Sequence, residues 1–130
     1  MKMQTINSPN VITPKPGTKS NCKVYNGQIF VSGMTARGLD GSVPEGMYPQ
    51  SVALFQKMKD LVEAAGGKMD DIIQINVFVT EMSSLEAFWE ARREFFTGDF
   101  PCSTLVQVAG LATPDLKIEV NGIGFIGAGG

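Results

Sequence analysis

The chain has 130 residues, of which 43% are hydrophobic and 18% charged, so it fits a single domain over residues 1–130 with one ordinary core. Its net charge of −2 and its pI of about 5.0 weigh against nucleic acid as a partner, because nucleic acid normally selects a basic face. The absence of histidine excludes Ser-His-Asp and Cys-His catalysis, and a zinc site would need unusual all-carboxylate or thiolate ligands, so we expect neither a metal nor a cofactor.

No segment predicts export or insertion into a membrane. The first ten residues, MKMQTINSPN, carry a charge but no apolar core of a signal peptide, and no apolar run approaches the roughly 20 residues that cross a bilayer. The two cysteines, Cys22 and Cys102, lie too far apart in sequence to suggest a disulfide framework, and packing as small buried hydrophobes is favoured over catalysis. We therefore expect a cytoplasmic protein with no membrane partner.

The first third of the chain predicts an opening strand and a hairpin. Residues 3–6, MQTI, can form the strand, and the proline- and glycine-rich segment 13–20 predicts an ordered loop. Strands at 22–25 and 28–31 flank an Asn-Gly pair, which accepts the positive φ that a type I′ turn demands at both central positions.

The middle of the chain predicts a polar loop followed by a helix. Residues 35–46 are rich in glycine and too polar for a core, and an amphipathic helix follows from about Pro49 to Ala65. Gly66 and Gly67 end this helix, because glycine takes the left-handed C-cap geometry without penalty. Its apolar face is expected to comprise Val52, Leu54, Phe55, Met58 or Lys59, Leu61, Val62 and Ala65.

The second half of the chain predicts a strand, a helix and two closing strands. Segment 72–80 is rich in β-branched residues, and a second helix begins near Ser83 with a capping-box sequence and ends before Pro101. Strands at 104–111 and 116–126 close the chain, and the last four residues, GAGG, are expected to fray.

These elements together predict an α/β (α+β) fold, with a single mixed sheet of about six strands and two helices packed on one face. Apolar residues point to both faces of the sheet, as where Phe78 lies between Val77 and Val79. The face without helices is therefore expected to pack against other subunits, which predicts an oligomer.

Three stretches resemble the RidA/YjgF family in their order and spacing. They read KSNCKVYNGQIFVSG, LVEAAGGKMDDIIQINVFVTEMSSLEAFWEARREFF and FPCSTLVQVAGLATPDLKIEV, and they span residues 19–120. The resemblance implies a chorismate-mutase-like fold and a homotrimer whose three sheets form an inner barrel, with three clefts for a small-molecule metabolite between neighbouring subunits. Family members with the full site hydrolyse enamines and imines to 2-keto acids and ammonia.

The resemblance places the catalytic role on Glu119, which matches the acid that orients the attacking water. It also implies that Ser32 and Gly33 line the cleft with their backbone N–H groups. Glu119 lies between Ile118 and Val120, where burial could raise its pKa toward that of a general acid or base. Composition alone favours a strand carboxylate that faces solvent or pairs with a lysine.

Four further cleft positions depart from the family pattern. Ser103 stands where the family has an arginine that clamps the substrate carboxylate, and a hydroxyl cannot supply that charged fork. Leu105 replaces a frequent cysteine, Lys19 a common aromatic and Trp89 a frequent asparagine. Lys19 could supply the missing cation, although a loop lysine is usually only solvated, and a helix aromatic such as Trp89 is more often core than pocket.

Three functions follow from these residues. The favoured one is a deaminase-type hydrolase that uses Glu119 and a bound water on a small imine, enamine or amide-like metabolite, different from the simple 2-imino acids. The alternative is a trimer that binds a small metabolite without turning it over. RNA cleavage or translation inhibition, historically attached to the family name, is disfavoured because the chain is acidic and lacks a basic patch with aromatic residues.

Overall fold

The computed structural model of the chain describes residues 2–130, which form six strands and two α-helices. The strands are β1 (Gln4–Ile6), β2 (Cys22–Tyr25), β3 (Gln28–Met34), β4 (Ile72–Val79), β5 (Cys102–Gln107) and β6 (Ile118–Phe125), and the helices are α1 (Met47–Ala64) and α2 (Leu85–Phe95). Short 3₁₀ turns precede β4 and α2. Within residues 2–130, no helix has the length and apolar character needed to span a membrane.

The strands form one mixed sheet in the order β1-β2-β3-β6-β4-β5. β4 and β5 run parallel because α2 supplies the crossover that a parallel pair needs, and every other neighbouring pair is antiparallel. Both helices cover the same face of the sheet, which confirms the predicted fold class. The β2–β3 hairpin is also confirmed, since Asn26 and Gly27 have φ values of 51° and 79° at its turn.

The core lies between α1 and the sheet. Leu54, Phe55 and Met58 on α1 are fully buried, and so are the sheet residues that face them, such as Ile75 and Val77. An aromatic cluster then joins the two helices. In it, the ring of Phe55 lies 5.9 Å from that of Phe88, 5.6 Å from that of Phe95 and 5.5 Å from that of Phe96.

The ends of several elements differ from the prediction. α1 begins at Met47 and includes Pro49 in its first turn, where a proline costs little because the N–H that it lacks would have no partner within the helix. Ser83 lies in the 3₁₀ turn before α2, and Ser84 occupies the cap position without a side-chain bond, so the predicted capping box does not form. β5 begins and ends earlier than predicted, because Cys102–Gln107 is the part that pairs with β4.

β4 contains a register shift that its richness in β-branched residues does not predict. The partner of Ile72 is Gly124 and the partner of Gln74 is Ile123, so the strand bulges between them. As a result the intervening Ile73 is 45% exposed instead of joining the apolar face.

The C-terminal GAGG segment is ordered, contrary to the expectation that it frays. Gly129 donates its N–H to Oδ1 of Asp71 at 2.8 Å, and Lys68 donates its N–H to Oδ2 of the same carboxylate at 3.0 Å. Nζ of Lys68 also reaches the carbonyl of Gly130 at 2.6 Å. A buried carboxylate needs several donors, and the backbone N–H groups of Gly127 and Gly129 in the tail are among them.

Candidate functional site

A bulge in β3 brings the carboxylate of Glu119 against the backbone. Val31 pairs with Gly122 and Met34 pairs with Val120, so Ser32 and Gly33 together oppose one residue of β6. Gly33 leaves the space that the Glu119 side chain occupies. A Cβ at Gly33 would lie 2.8 Å from Cδ of Glu119 and closer still to Oε2.

Ser32, the other residue of the bulge that was predicted to line the cleft, is held by the loop before β2. Its N–H donates to the carbonyl of Asn21 at 2.9 Å, and its hydroxyl donates to the carbonyl of Ser20 at 2.5 Å. The N–H of Ser32 is therefore engaged and not free for a ligand, which corrects the expectation that it lines the cleft as a donor. Asn21, in turn, donates to the carbonyl of Ile12 at 2.8 Å, so this loop is tied down on both sides.

A cleft of about 520 Å³ opens beside Glu119 on the sheet face that carries no helix. Phe30 and Ile123 contribute apolar surface to it. Asn76 and Asn121 contribute polar surface and are joined by a hydrogen bond of 2.9 Å from Nδ2 of Asn76 to Oδ1 of Asn121. Glu119 is the one carboxylate among the described residues that line this cleft, so a general acid or base is available but a set of metal ligands is not.

A second, smaller cavity of about 260 Å³ shares Lys19, Gly33 and Glu119 with this cleft. Arg37 and Lys57 line it as well, and the sequence analysis did not single out either of them. Arg37 comes from the glycine-rich loop before α1 and Lys57 from α1 itself, so no local pattern links them to a strand residue far along the chain. Their charge could be read from the sequence, but their position could not.

Three predicted site residues lie away from Glu119 within one chain. Ser103 and Leu105 pair with Ile75 and Val77, which are buried under the helices, whereas Glu119 points to the opposite face of the sheet. Trp89 is 40% exposed on α2. It lines a groove with the 3₁₀ turn at 82–84 and belongs neither to the core nor to the Glu119 cleft.

The two cysteines are free and differ in environment. Cys22 is buried in the core, and burial raises the pKa of its thiol to about 11, so it is unreactive near neutral pH. Cys102 is exposed at the start of β5, which corrects the expectation that both thiols are buried.

Sheet, helices and cleft together define a class of protein: a small two-layer α/β domain with a carboxylate-bearing cleft on its uncovered sheet face. A match to the family described as Endoribonuclease L-PSP, the RidA/YjgF family, covers residues 14–126. The chain belongs to this family.

Named relatives and solved structures agree with this assignment. The chain is 29% identical over 103 residues to the 2-iminobutanoate/2-iminopropanoate deaminase of Dermatophagoides farinae, covering 79% of this chain and 77% of that protein. RidA from an Antarctic Psychrobacter species has a TM-score of 0.87 and 27% identity, over 95% of this chain and 99% of that one. A Pseudomonas aeruginosa protein of unknown function has a TM-score of 0.88 and 30% identity, over 97% of this chain and 94% of that one.

Proposed function

We propose that this protein is a deaminase-type hydrolase of small imines or enamines, with Glu119 as its general acid and base. The observation that carries the proposal is the Glu119 carboxylate, which a glycine bulge holds in a cleft of about 520 Å³ on the uncovered sheet face. The relative in Dermatophagoides farinae is named for the same reaction class, which supports it further.

The chemistry needs one carboxylate and one water. Glu119 accepts a proton from the water as the water oxygen forms a bond to the carbon of the C=N group. The same proton passes to the nitrogen and gives a carbinolamine. Glu119 then takes the proton of the new hydroxyl and passes it to the nitrogen as the C–N bond breaks, so ammonia leaves and the carbonyl forms. An enamine first takes a proton on carbon to become the imine, so the overall reaction consumes one water and releases one ammonia.

The substrate is proposed to differ from the simple 2-imino acids, because Ser103 occupies the position of the family arginine. A charged, bidentate contact to a carboxylate is worth about 1.5–3 kcal/mol, and a serine hydroxyl cannot replace it. We therefore expect activity on 2-aminoacrylate or branched-chain imines to be at least about tenfold below that of arginine-containing relatives.

The cleft is proposed to be completed by neighbouring subunits in a homotrimer. Within one chain it is open on the sheet face, and Ser103 and Leu105 stand two strands away from Glu119 on the other face. A neighbouring copy that covers the open face would close the cleft and could bring its own β5 to the site.

A trimer that only binds a metabolite is the second candidate, and the same cleft would serve it. Cleavage of RNA, which the family description names, is less favoured because the chain carries a net charge of −2. The carboxylate of Glu119 distinguishes the hydrolase from the binding protein, since turnover requires this carboxylate and binding alone does not.

The test generates imines with an amino-acid oxidase and follows the release of keto acid with and without the protein. Glu119→Gln is expected to lower the catalysed rate at least about a hundredfold, because the amide cannot accept the proton of water. Glu81→Gln is the matched control, since Glu81 is exposed and lines none of these cavities. Equal rates for the parent and Glu119→Gln would contradict the proposal.

A further inference from the structure

The smaller cavity beside Glu119 gathers an unusual share of the positive charge in the chain. Lys19, Arg37 and Lys57 line it, and Glu119 is the one carboxylate among the described residues that line this cavity. The whole chain has 11 lysines and arginines against 13 acidic residues, so a cavity with three cations and one anion departs from the overall balance. Such a local excess of one charge raises the concentration of ions of the opposite sign.

Two of these cations, the half-buried Arg37 and Lys57, are held in place by hydrogen bonds. Nζ of Lys57 donates to the carbonyls of Thr35 at 2.8 Å and Arg37 at 3.0 Å, which uses two of its three N–H groups. The guanidinium of Arg37 donates to the carbonyl of Gly41 at 2.8 Å and to Oγ1 of Thr113 at 2.7 Å. Both groups are thereby positioned, and each keeps donors for a ligand.

The cations also repel one another. Burial, and after it the charges of Lys19 and Arg37, hold the pKa of Lys57 below its usual value. Oδ1 of Asp115 lies 3.6 Å from Nη2 of Arg37, but the Asp115 side chain is largely exposed. Solvent therefore screens the attraction between these two groups. An anion in the cavity would relieve this repulsion and meet positioned donors.

We propose that this cavity binds an anionic group of the ligand, with Arg37 and Lys57 as the specificity-determining residues and the exposed Lys19 beside them. The inference rests on the proposed function for the identity of the site, since the cavity adjoins Glu119. It assigns the ligand class as a small carbonyl or imine compound, different from the simple 2-imino acids, that carries a carboxylate or a phosphate. It also accounts for a neutral Ser103, because the anionic group is bound by a different part of the fold.

The experiment measures binding by calorimetry with two probes, 2-oxoglutarate and inorganic phosphate. Ala112→Asp places a negative charge on the exposed lining of the cavity and removes no hydrogen bond, so it should fold normally. We expect it to weaken binding at least about tenfold, and Arg37→Gln to do the same. Ala109→Asp is the matched control, because Ala109 is an exposed residue of the same loop outside the cavity, and it should leave affinity unchanged.

The outcomes separate this inference from the proposed reaction. Weaker binding in the two cavity variants supports the anion site whether or not any imine is turned over. The probe that binds identifies the anionic group of the ligand as a carboxylate or a phosphate. Turnover that depends on Glu119, with unchanged affinity in the cavity variants, would retain the reaction and overturn the anion site. Failure of both probes to bind the parent protein up to about 10 mM would overturn it as well.

Discussion

At the scale of single residues, the contact between Gly33 and Glu119 is the feature on which the candidate site depends. A Cβ at Gly33 would meet the carboxylate of Glu119, whereas a Cβ on Gly110, in the loop after β5, would meet nothing within 4 Å. These two glycines therefore differ in what surrounds them.

Gly33→Ala is expected to reduce turnover while changing stability little. The new Cβ would push away the end of a flexible side chain, so the free energy of unfolding should change by less than about 1 kcal/mol. The displaced carboxylate can no longer take a proton from the same water, so the rate should fall about tenfold or more. Gly110→Ala should change neither quantity, and a parental rate in Gly33→Ala would contradict the role of the bulge.

Asp71 is expected to make stability depend on pH. Burial raises its pKa, but hydrogen bonds from the backbone N–H groups of Gly129, Lys68 and Gly127, with the charge of Lys68, lower it more, so the pKa lies below its usual value. A carboxyl with a depressed pKa stabilises the fold above its unfolded pKa of about 3.9, and this contribution is lost as the pH falls through the folded value.

Asp71→Asn should therefore lower the free energy of unfolding by about 1–3 kcal/mol at pH 7, measured by urea denaturation. Its difference from the parent should shrink below about pH 4, where the parental carboxyl takes up its proton. Asp99→Asn, at an exposed position, should track the parent at every pH. A difference that stays constant down to pH 2 would contradict the assigned cause.

At the scale of elements, α1 organises the loops around the site. Gln50, buried in its first half, donates Nε2 to the carbonyls of Pro44 at 3.0 Å and Asp115 at 2.8 Å, and its Oε1 accepts the N–H of Lys117 at 2.8 Å. One side chain thus joins the loop before α1 to the loop before β6. Lys57 lies about two turns further along the same face of the helix and reaches the first of these loops.

Gln50→Leu is expected to keep the volume of the side chain but leave three backbone groups without their partner. The free energy of unfolding should fall by about 1–3 kcal/mol, and anion binding should weaken because the Arg37 loop loses its attachment. Gln56→Leu, on the exposed side of α1, is the control and should cost less than about 0.5 kcal/mol. Thermal unfolding and calorimetry of both variants would test this; equal stabilities would show that the loops are held in another way.

At the scale of the whole molecule, the sheet face without helices carries large apolar side chains. Phe30, Val106 and Phe125 are each between 42% and 43% exposed, and all three lie on this face. One layer of helices covers the other face only. A second copy of the chain would remove these side chains from water.

The proposed homotrimer predicts that light scattering will give three times the 14.0 kDa mass of one chain at micromolar concentration. Val106→Glu should shift the mass toward the monomer, because burying an unpaired charge at an interface is costly, and Val106 lines none of the cavities described. Met82→Glu introduces the same charge at a similarly exposed position on the helix side and should leave the mass unchanged. A parental protein that runs as a monomer would contradict the trimer.

The sequence by itself determined those parts of the fold that depend on neighbours along the chain. The Asn-Gly turn requires positive φ at two adjacent positions, and the spacing of Leu54, Phe55 and Met58 requires one helix face, so both were predictable. The strand that carries Glu119 was predictable for the same reason.

The tertiary structure alone decided which side chains meet. The bulge at Gly33, the exposure of Ile73 and the junction of Arg37 and Lys57 with Glu119 depend on register between distant strands and on loops tied together across the fold. A register shift of one residue moves a side chain to the other face of a sheet, and nothing in the local pattern reports it. The cationic cavity therefore becomes visible only when the loop after β3, the helix and β6 are packed together.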